Sequence, residues 1–185
     1  MSIDKSKINH YFANHWKGMN RDKYELSSVK NILKHISVND EVLDVGCGYN
    51  PFKEHLGDRL YAFDPAINSG DELTDVESFD PIDTKWDVVL CLGSINFGDS
   101  DVIYPQVEKV VSMVKPGGKI IWRQNPGRQD HRNEECKDIN FFPWSKEINE
   151  LYSEEFSCTL ECCEEDWDES KETHSRIFSI WVKNE

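Results

Sequence analysis

Basic residues are in short supply in this 185-residue chain: 21 Lys and Arg stand against 35 Asp and Glu, a formal net charge of −14. Such a surface repels phosphate backbones, which reward basic patches, so nucleic acid is disfavoured as a partner and a small molecule or a protein side chain fits better. The excess acid also favours solubility. Long apolar runs are missing. None approaches the roughly 18 residues of a membrane span, and the opening MSIDKSKINH lacks the apolar stretch of a secretory leader. These absences predict a soluble, cytoplasmic protein with no membrane partner. The 6 cysteines (Cys47, Cys91, Cys136, Cys158, Cys162, Cys163) show no C-x-x-C spacing and are expected to be reduced thiols. Cys158, Cys162 and Cys163 with His174 are metal-ligating residue types. Adjacent strand residues face opposite ways, however, so they are read as strand or core thiols and no metal is predicted. No repeat or low-complexity linker divides the chain. It is read as one domain over 1–185, large enough to bury about 70% of its unfolded surface.

What is present is an alternation. The segment 1–37 reads as N-terminal helices: NHYFANHW, then RDKYELSSVKNILKHI with Tyr24, Val29, Leu33 and Ile36 at helical spacing. From 38 to 185 strand-like and helix-like segments follow one another. EVLDVG, RLYAFDP, a weak strand in GDELTDVESF, WDVVLCLG and KIIWRQN are strands, with a helix begun at FKEHL and another in DVIYPQVEKVVSMV, where Pro105 must sit near the start. KPGG is a turn, and SKEINELYSEE is a helix capped by Ser145 after FFPWS, which is expected to pack the sheet edge. FSCTLECCEE and HSRIFSIWVKN are two strands around an acidic loop. Strands separated by helices imply a doubly wound α/β sheet, and the last two, with no helix between them, should be antiparallel. Ligands of such sheets sit beyond the carboxyl ends of the strands.

The stretch EVLDVGCGYNPF runs a strand into Gly46 and Gly48, residues suited to a tight bend or a close ligand. A G-x-G alone occurs in many turns. The dinucleotide fingerprint needs a third glycine where this chain has Pro51, which disfavours a nicotinamide or flavin cofactor. Asn50 stands where nucleoside-binding loops often carry another glycine, and asparagine tolerates positive φ. Asp64, followed by Pro65, ends the second strand and has a carboxylate able to accept both hydroxyls of a ribose; it can equally start an Asp-Pro turn. Asp44 can orient the loop through its amides or meet a cationic ligand group. Together the two acids favour a ligand.

Asp44-Val45-Gly46-Cys47-Gly48 resembles the first motif of class I S-adenosylmethionine-dependent methyltransferases, and Asp64 is similar to their acid after strand two. WDVVLCLGSINF and VKPGGKIIW resemble their fourth strand and the turn leading into their fifth. The likeness spans about Glu41 to Trp122. GCGYNPF with GSINFGD is also similar to small methyltransferase-like proteins of bacteriophages. The resemblance implies a Rossmann-like, seven-stranded, mostly parallel sheet with helices on both faces and an antiparallel last strand. It implies S-adenosyl-L-methionine as cofactor, with Gly46, Cys47 and Gly48 along the methionine part and Asp64 and Pro65 at the ribose. Asp75 and Val76 would stand at the adenine, and Leu92, Gly93 and Ser94 at the sulfonium. The leading helices would cover the site, with Tyr11 and Trp16 closing over it and Arg21 meeting the cofactor carboxylate; the same aromatics can instead simply pack as core. Asn50 is the departure from the family pattern.

Methyl transfer from a sulfonium needs alignment more than acid–base groups, and positioning can supply about 7–11 kcal/mol. The N-P-P-Y or D-P-P-Y motif of base- and glutamine-methylating relatives is absent: the segment reads Gly93-Ser94-Ile95-Asn96-Phe97. The Lys-Asp-Lys-Glu set of ribose methyltransferases is not evident either. Candidate catalytic or substrate-holding residues are Arg123, Asn125 and His131 in WRQNPGRQDHR, where Arg128 and Arg132 add charge. This loop can grip an anionic substrate group or merely balance nearby acids. The expected activity is methyl transfer to a small molecule or protein side chain; the alternative is a non-catalytic binding module of the same fold.

Overall fold

A computed structural model describes residues 4–16, 24–128, 137–166 and 175–185. Its centre is one seven-stranded sheet in the order β3-β2-β1-β4-β5-β7-β6. The strands are β1 Val42–Val45, β2 Leu60–Asp64, β3 Glu72–Leu73, β4 Trp86–Leu92, β5 Val114–Gln124, β6 Cys158–Asp166 and β7 Arg176–Lys183. β1 pairs in parallel with β2 and β4, β2 with β3, and β4 with β5. β7 runs antiparallel to both β5 and β6. Both the mixed sheet and its reversed last strand agree with the sequence reading.

The helices are α1 Lys5–Asn14, α2 Val29–Leu33, α3 Lys53–Leu56, α4 Ser100–Ser112 and α5 Lys146–Glu155. Alternation along the strands feeds two cores. On one face Leu43, Phe63, Val89 and Trp122 meet Ile103, Val107 and Val110 of α4 and Tyr152 of α5. On the other, Val42, Ala62, Leu90 and Ile121 meet Ile32 of α2 and Leu56 of α3. Each fully buried aliphatic side chain contributes about 1.5–3 kcal/mol. The Ser145 hydroxyl accepts from the Ile148 amide at 3.2 Å, the cap expected for α5. Among the described residues no helix is long and apolar enough to cross a membrane.

Three local expectations change. Of the long helix expected over 21–36, residues 21–23 lie outside the described residues, Tyr24 to Ser28 form turns, and α2 is the helical part. The cause lies far off in sequence: the Leu26 and Ser27 amides, which a helix would aim at carbonyls four residues back, donate instead to Asp166 at 3.3 and 2.9 Å. The KPGG turn is a bulge inside β5, because Trp86 pairs with Val114 and Val88 already with Lys119. Pro105 lies in the second turn of α4 rather than at its start, where it removes the donor for the Asp101 carbonyl. Phe141, Phe142 and Trp144 of FFPWS are buried, and the segment packs against the loop after β4 through a bridge between Phe97 and Phe141.

Candidate functional site

The strand order reverses between β1 and β4, and a crevice beyond the carboxyl ends of the strands belongs at that switch. A cavity of about 360 Å³ lies there, lined from the tips of β2, β1, β4 and β5 and roofed by α1. This is near the lower end of the roughly 300–1,000 Å³ typical of small-molecule sites.

The loop after β1 forms its floor. Gly46 and Gly48 have φ of +71° and +58°, the left-handed region that disfavours any residue with a Cβ. A Cβ on Gly46 would also collide with Ser94 Cβ, and one on Gly48 would lie 3.1 Å from the Trp16 ring. The Gly46 and Cys47 amides donate to the Phe63 carbonyl at 2.9 and 3.0 Å, folding the loop over the end of β2. Asn50 adopts φ +53°, the geometry expected of it, and ties the turn down by donating its side-chain amide to the Ser69 carbonyl at 3.1 Å.

Asp64 sits at the end of β2 on the cavity wall. Its Oδ1 accepts from the Ala66 and Ile67 amides, both at 2.8 Å, and its Oδ2 from the Gly48 amide at 2.9 Å. Asp64 therefore starts the Asp-Pro turn and also lines the cavity, with lone-pair capacity left on Oδ2. Pro65, Asp75 and Val76 line the same end. Asp75 Oδ1 accepts from the Ser78 amide at 2.8 Å, and Lys5 of α1 reaches Asp75 at 3.3 Å and Glu77 at 2.7 Å. Burial pushes the Asp75 carboxyl up, but the Ser78 bonds and the Lys5 ammonium outweigh it and hold it below its ordinary value. For Lys5, burial lowers and Glu77 and Asp75 raise; the acids prevail and the ammonium is held above its ordinary value.

At the centre, Leu92, Gly93 and Ser94 follow β4 along the wall. Gly93 has φ +115°, and nothing stands nearer to its missing Cβ than Arg123 Nη1 at 3.9 Å, so it leaves open space. Ser94 Oγ is buried without a well-formed hydrogen-bond partner among the described residues.

At the far end, alternation along β5 sorts the candidates. Arg123 and Asn125 face the cavity, while Gln124 points away and accepts from Asn149 of α5 at 2.9 Å. The Arg123 Nε donates to Ser27 Oγ at 3.1 Å, and its guanidinium lies 4.6 Å from the centre of the Tyr24 ring. The Asn125 side chain brackets the Arg128 backbone, accepting from its amide at 2.7 Å and donating to its carbonyl at 2.9 Å. That shapes the loop after β5 and leaves Asn125 better suited to holding the wall than to chemistry.

Four expected contacts are not made by the side chains named. Tyr11 is buried but off the cavity wall; the lining face of the N-terminal segment is Lys5, Ile8, Asn9, Phe12 and Trp16, one helical stripe, and Phe12 takes the place expected of Tyr11. Trp16 lines the cavity and stacks on Tyr49 at 5.3 Å. The Cys47 side chain turns into the core beside Phe52 and Ala62, where burial, then the charges of Asp44 and Asp64, push its thiol up to about 12. Asp44 is buried in β1 behind the loop, and Asn50 shapes the turn; neither lines the cavity. Arg21, His131, Arg132 and His174 lie outside the described residues. Cys158 is buried at the start of β6, and Cys162 and Cys163 are half-buried along it. Sequence reasoning missed Tyr24, Gln106, Phe141 and Arg176, which also line the cavity. Arg176 had a signal: it alternates with the inward Phe178 and Ile180, and an antiparallel last strand begins at the carboxyl ends of its neighbours.

This strand order, with its Gly-bend, acid-tipped β2 and reversed last strand, is the fold of the class I S-adenosylmethionine-dependent methyltransferases. Magnesium protoporphyrin IX methyltransferase from Synechocystis PCC 6803, solved with bound S-adenosylmethionine, superposes with a TM-score of 0.72 at 12% identity, covering 100% of this chain and 99% of that one. The N-methyltransferase NodS from Bradyrhizobium japonicum WM9, in complex with S-adenosylhomocysteine, gives 0.65 at 14% identity over 98% of each chain. The 1,6-didemethyltoxoflavin-N1-methyltransferase of Burkholderia thailandensis, with bound 1,6-didemethyltoxoflavin and S-adenosylhomocysteine, gives a TM-score of 0.65 at 14% identity, covering 79% of this chain and 72% of that one. No family model and no curated protein matches the sequence.

Proposed function

We propose that the protein is an S-adenosylmethionine-dependent methyltransferase acting on a small molecule. The observation that carries this reading is the continuity of the cavity. It runs from a carboxylate end at Asp64 and Asp75, past Gly46 and Gly48, to open space at Gly93. An adenosine with an attached amino acid needs that sequence of surroundings. Asp64 Oδ2 would accept from the ribose hydroxyls, Asp75 and Val76 would flank the adenine, and the Gly46–Gly48 backbone would run along the amino-acid part. Ser94 Oγ, buried without a well-formed partner among the described residues, would accept from or donate to the ligand.

Bound there, the cofactor supplies an electrophilic methyl group. The chain's contribution is positional. Leu92, Gly93 and Ser94 leave a gap at the tip of β4 through which an acceptor can approach, and Phe12, Trp16 and Phe141 exclude water from it. No acid–base pair is required for an acceptor atom that is already unprotonated. The small volume and the roof formed by α1 favour a small molecule over a protein side chain as the acceptor.

Calorimetry with S-adenosylmethionine, S-adenosylhomocysteine and NAD tests the cofactor: the first two bind and NAD does not. Failure of the first two to bind overturns the reading. Labelled methyl transfer into a metabolite pool tests the reaction, and tight cofactor binding with no transfer returns the non-catalytic alternative.

A further inference from the structure

One donor on the cavity wall is fixed by the protein yet bonded to nothing in it. Asn96, four residues past the end of β4, lines the cavity and is only 5% exposed. Its backbone carbonyl accepts from the Phe142 amide at 2.9 Å, and its side-chain Oδ1 accepts from the Asn125 amide at 2.7 Å. A backbone N–H can only donate, so the side-chain atom facing Asn125 is the oxygen, and the orientation of the side-chain amide is settled. Nδ2 is thereby turned away from Asn125. It has no hydrogen-bond partner among the described residues, and it is not sealed off in the interior. In so buried a residue, the open space that Nδ2 meets is the cavity.

The place of Asn96 in the fold is away from the adenosine end. Asn125, to which it is bonded, follows β5, and β5 lies three strand spacings, about 14 Å, across the sheet from β2 with Asp64 at its tip. The gap at Gly93 stands at the tip of β4, between the two. Phe97, the next residue, lines the same wall, its ring 5.7 Å from Phe12 and 5.2 Å from Phe141, centre to centre. Beside aromatic surfaces an unbonded donor costs more than in water, and a bond made to it is stronger.

We propose that Asn96 is a substrate-positioning residue: its Nδ2 donates to a carbonyl oxygen of the methyl acceptor, a small molecule whose apolar body lies along Phe97. This rests on the methyl-transfer reading of the same cavity. Polarity is the selective element. Nδ2 offers two hydrogens and no lone pair, because the one oxygen of the side chain is committed to Asn125. A carbonyl oxygen brought to it pairs both groups. An ammonium brought to it leaves both unpaired, and a methyl leaves Nδ2 desolvated without a bond.

The test is a nuclear magnetic resonance titration of the full, nitrogen-labelled chain saturated with S-adenosylhomocysteine. The probes are acetophenone, isopropylbenzene and 1-phenylethylamine, which share one shape and carry a carbonyl oxygen, a methyl or an ammonium at the same place. Acetophenone is expected to bind about tenfold tighter than either of the others. It is also expected to move the Asn96 side-chain amide signal downfield, while isopropylbenzene leaves that signal in place. Asn96→Asp keeps an oxygen toward Asn125 and puts lone pairs where the two donors were. It is expected to erase the preference for acetophenone while S-adenosylhomocysteine affinity stays at the wild-type level, which also reports an intact fold. If this variant does not fold, the wild-type titration decides alone, with the signal assigned through its proximity to the Asn125 amide proton. Isopropylbenzene or 1-phenylethylamine binding as tightly as acetophenone, or an Asn96 signal that acetophenone does not move, overturns the proposal. So does an Asn96→Asp variant that loses S-adenosylhomocysteine but keeps 5′-methylthioadenosine, because Nδ2 would then serve the cofactor's own amino-acid part. Failure of wild-type protein to bind S-adenosylhomocysteine removes the underlying methyl-transfer reading instead.

Discussion

Gly46→Ala is the sharpest probe of the loop that shapes the cavity. The substitution adds one carbon, and two separate penalties follow. Gly46 has φ +71°, where a Cβ costs about 1–2 kcal/mol. The new Cβ would also overlap Ser94 Cβ, and overpacking of this kind costs about 1–3 kcal/mol more. The sum, about 2–5 kcal/mol, is a large share of the 5–15 kcal/mol by which a domain is usually stable. It should lower the thermal midpoint by roughly 4–20 °C in a chain of this size. Gly117→Ala supplies the control, because Gly117 also has positive φ, +75°, but nothing lies within 4 Å of its missing Cβ. The collision term is then the difference between the two variants. Ser94→Gly in the Gly46→Ala background should recover that difference, about 1–3 kcal/mol, as a coupling energy in urea unfolding. If Gly46→Ala proves no more destabilising than Gly117→Ala, the close approach of the two loops is wrong, and with it the shape of the cavity floor.

Further predictions follow from the same geometry. Asp64→Ala leaves three backbone amides without their acceptor and should cost about 2–5 kcal/mol in denaturant unfolding along with most of the affinity for S-adenosylhomocysteine; wild-type affinity in this variant would remove Asp64 from the ribose site. The Lys5 pair pins α1 to Asp75 and Glu77, and its pH window follows from the directions of the shifts. Asp75 is depressed from 3.8, so its contribution is present above about 4 and lost as pH falls through the lower folded value. Lys5 is raised from 10.5, so its contribution is complete below that and lost as pH rises through the higher folded value. The stability difference between wild type and Lys5→Met should therefore vanish at both extremes; a difference that persists after the Asp75 carboxyl has been protonated in the folded protein contradicts the pairing. The Cys47 thiol, raised to about 12 by burial and neighbouring charge, should resist iodoacetamide at pH 8 in the native state and react only on unfolding, as peptide mass spectrometry would show.

Local pattern carried much of the fold into view. Strands broken by helices, a final pair with no helix between them and glycines after the first strand were enough to place the sheet and the bend. The failures share a cause. RDKYELSSVKNILKHI has helical spacing, yet its middle is drawn out of the helix by Asp166, 140 residues from Leu26. No local rule registers a competitor so distant. Tyr11 and Phe12 are adjacent aromatics on α1, and only the docking angle of that helix decides which of them lines the cavity and which packs beside it. Cys47 stands between two glycines that do line it, but its side chain leaves on the other face of the bend.

The sequence by itself determined the repeating α/β order, the reversed last strand, the left-handed bend that glycine and asparagine permit, and the acid at the tip of β2. Those are properties of a residue and its near neighbours: alternation, φ preference and turn chemistry. Only the tertiary structure decided that Arg176 lines the same cavity as Arg123, that Ser94 closes on Gly46 and that α1 roofs the cavity with Phe12. Each of these joins segments far apart in the chain, and their meeting depends on how the sheet twists and how helices settle on it, which packing of the whole chain sets.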